Sequence, residues 1–89
     1  MALHIIKSAK ATVISEIEAI IQEDDQVLLT DDGCYLYTLA AKKFPHLQAM
    51  SDHMHNRGLT NKASDLNIEL ISVVQWAMLT RNHRQIMTW

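Results

Sequence analysis

The fold of this chain is constrained most by a regular alternation of short apolar runs with longer stretches of helical character. The apolar runs begin near residues 3, 27, 47 and 68. Between them, apolar residues recur at helical spacing, or residue types that favour helix ends appear. Such alternation is typical of a parallel sheet with helices on its faces, joined by right-handed crossovers. The sequence therefore predicts a single α/β domain over residues 1–89 with a small, mostly parallel sheet of four to five strands.

The boundaries of the elements follow from the apolar runs and the helix-end residues. Strands are predicted at residues 3–6, 27–29, 47–50 and 68–71, with a short fifth strand near 85–89. Helices are predicted at residues 13–21, 34–43, 51–57 and 73–83, and the polar segment 60–67 is predicted to be a loop. Ser51 is expected to cap the start of the third helix, and Gly58 to follow its end, since these residue types favour those positions.

The composition excludes several classes of protein. The formal net charge of −2 gives no general attraction to nucleic acid or to anionic membranes. No apolar run approaches the roughly 20 residues that cross a bilayer, and the amino end does not resemble a signal peptide. A single cysteine excludes an internal disulfide. We expect a cytoplasmic domain with no cofactor and, because so short a chain buries little surface, a tendency to oligomerise.

The segment Asp31-Asp32-Gly33-Cys34 lies where chemistry is expected, because ligands of parallel sheets meet the loops at the carboxyl ends of the strands. The two aspartates are predicted to cap the helix that follows, and Gly33 to let the chain turn sharply. Cys34 admits two interpretations. A helix start favours a reactive thiolate, whereas neighbouring carboxylates and the frequent burial of free cysteine favour a structural thiol.

The histidines do not predict a metal site. His53 and His55 are two residues apart on a predicted helix, so they point to different faces and cannot readily share an ion. His4 lies on an otherwise apolar strand. It is either a partly buried hydrogen-bonding group or part of a functional edge.

Two features near the carboxyl-terminal helix have both a structural and a functional interpretation. Arg81, His83 and Arg84 cluster where the helix ends, and cations there complement the helix dipole without any need for RNA binding. Trp76 and Trp89 are large for so small a core. Aromatic residues of this kind either fill the core or anchor a partner.

Short segments spread along the whole chain resemble the TusB/DsrH family. They are Leu3-His4, Lys7-Ser8, Asp32-Gly33, Asn56-Arg57-Gly58-Leu59, Leu79-Thr80, His83 and Trp89. The resemblance implies the DsrE/F/H-like fold, a three-layer α/β/α domain. It also implies assembly with paralogous TusC-like and TusD-like subunits into a heterohexamer. Such a complex accepts persulfide sulfur from a small donor protein and passes it toward 2-thiolation of the tRNA wobble uridine, so that tRNA is only an indirect partner.

This sequence departs from the family pattern in two places. DsrH-type members can carry a cysteine in the first helix, but residues 11–22 contain none and have Glu16 and Glu18 instead. The Asp-Tyr often found after the fourth strand is replaced by Ser72-Val73. The missing cysteine favours an accessory role in the relay with no catalysis by the chain alone. Three alternatives stay open: a DsrH-like subunit in sulfur oxidation, a sulfurtransferase using Cys34, and a stand-alone binding module.

Seven residues are candidates for catalysis or for an interface or crevice. Cys34 is the candidate catalytic residue if the chain carries sulfur itself. The expected interface or crevice residues are His4, Asp32, Gly33, Arg57, Trp76 and Trp89. When isolated from its partners, the chain is expected to form homo-oligomers.

Overall fold

The computed structural model describes residues 1–89, and its elements alternate between strands and helices along the chain. In order they are β1 (Ala2–Ile6), α1 (Thr12–Glu18), β2 (Gln26–Leu29), a 3-10 helix (Asp31–Leu36), α2 (Tyr37–Lys43), β3 (Leu47–Met50), α3 (Ser51–Asn56), α4 (Thr60–Asp65), β4 (Glu69–Ile71), α5 (Val73–Asn82) and β5 (Gln85–Thr88). All five predicted strands are confirmed to within two residues. No helix is long and apolar enough to cross a membrane.

The five strands form one parallel sheet in the order β4-β3-β2-β1-β5. The α/β prediction is confirmed, and the arrangement is consistent with a three-layer α/β/α fold. Strands β1 to β4 are added one after another toward one edge of the sheet. The chain then crosses back over the sheet, and β5 pairs with β1 at the opposite edge. Because crossovers between parallel strands are right-handed, reversing the direction puts the connecting helix on the opposite face. The topology thus assigns α5 to one face and the earlier helices to the other.

The strand register separates the apolar side chains into two sets. On one side, which we call the covered face, the strand residues include Ile6, Leu29 and Ala49. They belong to a cluster of 16 buried residues to which α1, α2, α3 and α4 all contribute. The other side, the open face, carries only five buried apolar residues: Leu3, Ile5, Leu28, Met50 and Ile71. From α5, only the partly buried Leu79 packs against them.

The prediction of a loop over residues 60–67 is wrong, because the segment contains α4. Ala63 is fully buried in the core of the covered face, one helical turn after the buried Leu59. The remaining residues of α4 are polar or exposed, so the helical spacing rests on only two buried positions. Packing of these two side chains stabilises a helix that the local sequence does not favour strongly.

The helix ends were predicted with mixed success. Gly58 follows α3 with a φ of 69°, the left-handed conformation expected of a glycine after a helix end. The expectation that Ser51 caps α3 is wrong. Met50 occupies the cap position with extended backbone, and no side chain caps the helix. Ser51 is already the first helical residue, since β3 leads directly into α3.

Candidate functional site

A crevice of about 380 Å³ opens at the carboxyl edge of the sheet, between the open face and the start of α5. It lies at the position where ligands of open parallel sheets usually bind. Its apolar wall includes Ile5, Met50 and Trp76. Its polar lining includes Lys7, Asp31 and His53.

Asp31 and His53 are joined in the wall of this crevice. The backbone N–H of Asp31 donates a hydrogen bond to His53 Nδ1 at 2.9 Å. Because Nδ1 accepts that bond, the ring proton of a neutral His53 lies on Nε2. Asp31 has a φ of 49°, a left-handed conformation that is unfavourable for a residue with a Cβ. The prediction that the aspartates cap the following helix is wrong: Thr30 occupies the cap position of the 3-10 helix, and no side chain caps it.

Asp32 and Arg57, which are far apart in sequence, are brought together beside the crevice. Arg57 Nη2 donates to Asp32 Oδ1 at 3.1 Å, and Arg57 Nη1 donates to the carbonyl of His53 at 3.2 Å. The guanidinium carbon lies 5.8 Å from the centre of the Tyr35 ring. The Arg57 side chain therefore ties α3 to the 3-10 helix at this edge of the sheet.

Gly33 is needed for close packing between the 3-10 helix and β1. A Cβ built on Gly33 would collide with the carbonyl oxygen of Ile6. The N–H of Gly33 donates to the carbonyls of Lys7 at 3.0 Å and Thr30 at 2.9 Å. The expectation of a sharp turn at Gly33 attributed its importance to backbone freedom, but the residue with a positive φ is Asp31.

Cys34 follows Gly33 in the chain, and it is fully buried in the core of the covered face. Burial raises the pKa of the Cys34 thiol to about 11, partly opposed by the Arg57 guanidinium and reinforced by the Asp31 and Asp32 carboxylates. At neutral pH the group is therefore a protonated thiol. These observations favour the structural interpretation of Cys34 over the reactive one.

His4 is fully buried and belongs to a polar network near the amino edge of the sheet. Its Nε2 lies 3.0 Å from Asp25 Oδ2, and the indole N–H of Trp89 donates to its Nδ1 at 3.3 Å. Since an indole N–H can only donate, Nδ1 is the unprotonated nitrogen, and Nε2–H donates to the carboxylate. Both ring nitrogens of His4 thus have hydrogen-bond partners, and the side chain does not line the crevice.

Asp25 is the residue of this network that the sequence reasoning missed. It also accepts hydrogen bonds from the backbone N–H groups of Ala2 at 2.8 Å and Gln22 at 3.0 Å. Burial alone would raise the pKa of Asp25, but the hydrogen bonds from Gln22, His4 and Ala2 outweigh it and hold the pKa below its usual range. A buried histidine on an apolar strand needs a polar partner. That requirement could have directed attention to the acidic residues just before β2, among them Asp25.

Trp89 and Trp76 occupy different environments. Trp89 is partly buried against the core of the covered face, and its backbone N–H donates to the carbonyl of Ile5 at 2.8 Å. Trp76 lies on α5 and remains 36% exposed while it lines the crevice. Each tryptophan therefore fits a different one of the two interpretations. Trp89 packs against the core, whereas Trp76 is exposed to a ligand or partner.

The helix α5 is well formed although none of its residues is buried. Its start has a capping box: Ser72 Oγ accepts from the N–H of Gln75 at 3.2 Å, and Gln75 Oε1 accepts from the N–H of Ser72 at 2.8 Å. At the other end, His83 Nδ1 lies 2.7 Å from the carbonyl oxygen of Leu79. Because a carbonyl oxygen can only accept, His83 Nδ1 donates this hydrogen bond at the end of α5.

No three His, Cys, Asp or Glu side chains lie close enough together to hold a metal ion. The crevice offers hydrogen-bond donors and an apolar wall, but its lining contains no thiol. No protein-family model matches the chain, and no curated protein matches it either.

Proposed function

We propose that this chain is an accessory, non-catalytic subunit of a cytoplasmic TusBCD-like sulfurtransferase complex. In that complex, TusC-like and TusD-like subunits join it in a heterohexamer that relays persulfide sulfur for 2-thiouridine formation at the tRNA wobble position. The proposal is supported by the resemblance of segments from Leu3 to Trp89 to the TusB/DsrH family. The observation that carries the accessory role is the burial of Cys34.

A subunit that carries sulfur needs a thiolate that can reach its donor. The thiolate is the attacking species in thiol–disulfide and persulfide exchange, and access to it limits the rate. Cys34 fails both requirements, because it has no exposed surface and its pKa is raised to about 11. It is also the only cysteine of the chain. The sulfur-carrying thiol is therefore assigned to a partner subunit.

The proposal is tested by expressing tagged chain with the two paralogous subunits and measuring both co-purification and tRNA thiolation. We expect a stable complex, and we expect Cys34→Ser to leave both complex and thiolation rate unchanged. Replacing the cysteine of the TusD-like subunit is the matched control, and it should abolish thiolation. Absence of any complex would refute the proposal, and so would loss of thiolation in a Cys34→Ser complex that assembles normally.

The chemical state of Cys34 is tested on the isolated chain with a thiol-specific alkylating reagent. We expect alkylation of the folded chain to be at least about 100-fold slower than that of the urea-unfolded chain, because the thiol is both buried and protonated. Rapid alkylation of the folded chain at neutral pH would restore the reactive interpretation.

A further inference from the structure

The helix α5 presents apolar side chains to solvent as well as to the sheet. At 100° per residue, Val73, Val74, Ala77 and Met78 fall on one arc, opposite the arc that holds Leu79 and His83. The outward arc is exposed: Val74 by 70%, Met78 by 57% and Val73 by 55%. These are the residues that define the helix in the sequence, and they do not face the sheet.

An outward apolar face is unusual for a surface helix. Single exposed apolar side chains are common on proteins, but the solvent-facing side of a surface helix is normally charged or polar. Since none of the ten residues of α5 is buried, we infer that its outer side requires a cover that the chain itself does not supply.

The open face of the sheet carries a further exposed apolar side chain. Ile86 of β5 is paired in register with Leu3, so both point to the open face, where Ile86 is 43% exposed. At the amino-terminal end of α5, Val73 and Trp76 line the crevice. A concave site with an aromatic wall is the usual receptor for an apolar anchor residue.

The part of this surface that α5 and β5 supply carries no acidic side chain, although Asp31 lines the crevice. All ten Asp and Glu residues lie within residues 1–69, and residues 70–89 contain none. Arg81 and Arg84 lie in that last segment, and neither takes part in any of the ion pairs of the structure. The apolar surface is thus bordered by two unpaired cations at the end of α5.

We propose that the outer side of α5, Ile86 and the crevice form one docking surface for a partner protein whose own apolar patch is bordered by carboxylates. The partner places an apolar side chain in the crevice and carboxylates opposite Arg81 and Arg84. The identification of that partner as the TusC-like or TusD-like subunit rests on the function proposed above. A two-fold contact with a second copy is disfavoured, because the α5 and β5 segment of that copy has no carboxylate to place opposite Arg81 and Arg84.

The test measures binding of the chain to the purified TusC-like and TusD-like subunits. Val74→Asp combined with Met78→Asp should weaken binding at least about 100-fold, because it buries two unpaired charges in the interface. The control is Ile20→Asp combined with Leu39→Asp, which changes two apolar residues elsewhere on the surface that are 45% and 43% exposed. The control should change binding by less than about threefold, as expected outside an interface.

Charge complementarity is tested with Arg81→Glu combined with Arg84→Glu. This variant should bind about tenfold more weakly at low ionic strength, and the difference should shrink as salt is added. Hydrogen exchange on the wild-type chain gives a measurement that needs no substitution. The amides of α5 should become more protected in the complex, while those of α1 should not.

Each outcome decides the proposal. If the Val74→Asp, Met78→Asp variant binds normally and α5 gains no protection, this docking surface is wrong although the proposed function stands. If the wild-type chain forms no complex, the proposed function fails and the partner named here fails with it. If the isolated chain forms a dimer that this variant abolishes, the occupant is a second copy, and the assignment to an acidic partner is overturned.

Discussion

The two faces of the sheet differ in how the chain covers them. Four helices pack on the covered face and form a cluster of 16 buried residues, whereas α5 alone lies over the open face and the cluster there has five. Parallel sheets normally have both faces covered. The comparison shows that the chain completes one half of an α/β/α sandwich and leaves the other half thin.

The same contrast has an energetic consequence. Buried apolar area is the main source of stability, so the covered face accounts for most of the free energy of folding. Segments with few buried contacts open at low free-energy cost, and α5 is such a segment.

Truncating one core side chain on each side should show the difference directly. Ile17 of α1 is fully buried, so Ile17→Ala should lower the free energy of unfolding by about 3 kcal/mol. Leu79 of α5 is only partly buried, so Leu79→Ala should lower it by about 1 kcal/mol. Urea denaturation measures both. Equal losses of unfolding free energy in the two variants would show that packing of α5 stabilises the fold as much as packing on the covered face does. The proposed difference between the two faces would then be wrong.

The buried network around Asp25 should make the covered face sensitive to acid. The pKa of Asp25 lies below its unfolded value of 3.8, so the folded state favours the carboxylate. Its stabilisation is therefore complete above that value and is lost as the pH falls through the lower, folded pKa. Asp25→Asn should lower the free energy of unfolding by about 2 kcal/mol at pH 7, because the charged hydrogen bonds are lost.

The neighbouring Asp24→Asn provides a matched control, since the Asp24 side chain is 62% exposed. It should change stability by less than about 0.5 kcal/mol. The difference in stability between wild type and Asp25→Asn should narrow below pH 3.8. A difference that is independent of pH would mean that the Asp25 charge does not matter.

The smallest expected effect concerns the capping box of α5. Ser72→Ala removes the acceptor for the N–H of Gln75 and should destabilise α5 by about 1 kcal/mol. Hydrogen exchange of the α5 amides should then be about fivefold faster, with α1 amides unchanged. If both helices exchange faster by the same factor, α5 unfolds only together with the covered face, and the two are one cooperative unit.

Much of the fold could be predicted from the sequence, because short apolar segments mark the strands, and helical spacing or helix-end residues mark the segments between them. The position of β3 at residues 47–50 was predicted to the residue. The error at α4 has a physical origin: only Leu59 and Ala63 are buried, and their importance depends on the core they enter. Local sequence does not report that contribution.

The candidate site was harder to predict, because its contacts join residues that are distant in sequence. Asp25 meets His4 through the register of β2 against β1, and His53 meets Asp31 only because α3 follows the neighbouring strand. For Cys34, sequence patterns identified the competing effects of helix start, carboxylates and burial. Only the packing of the 3-10 helix against β1 shows that burial dominates.

The position of β5 next to β1 has a consequence for how the molecule folds. Leu3 pairs with Gln26 on one side and with Ile86 on the other, sequence separations of 23 and 83 residues. Closing the longer loop from an unfolded chain costs about 1 kcal/mol more in entropy. The strands β1 to β4 can join by successive neighbours, whereas β5 must bypass three of them to reach its place. We therefore expect β5 to dock late, with a transition state that already contains the first four strands.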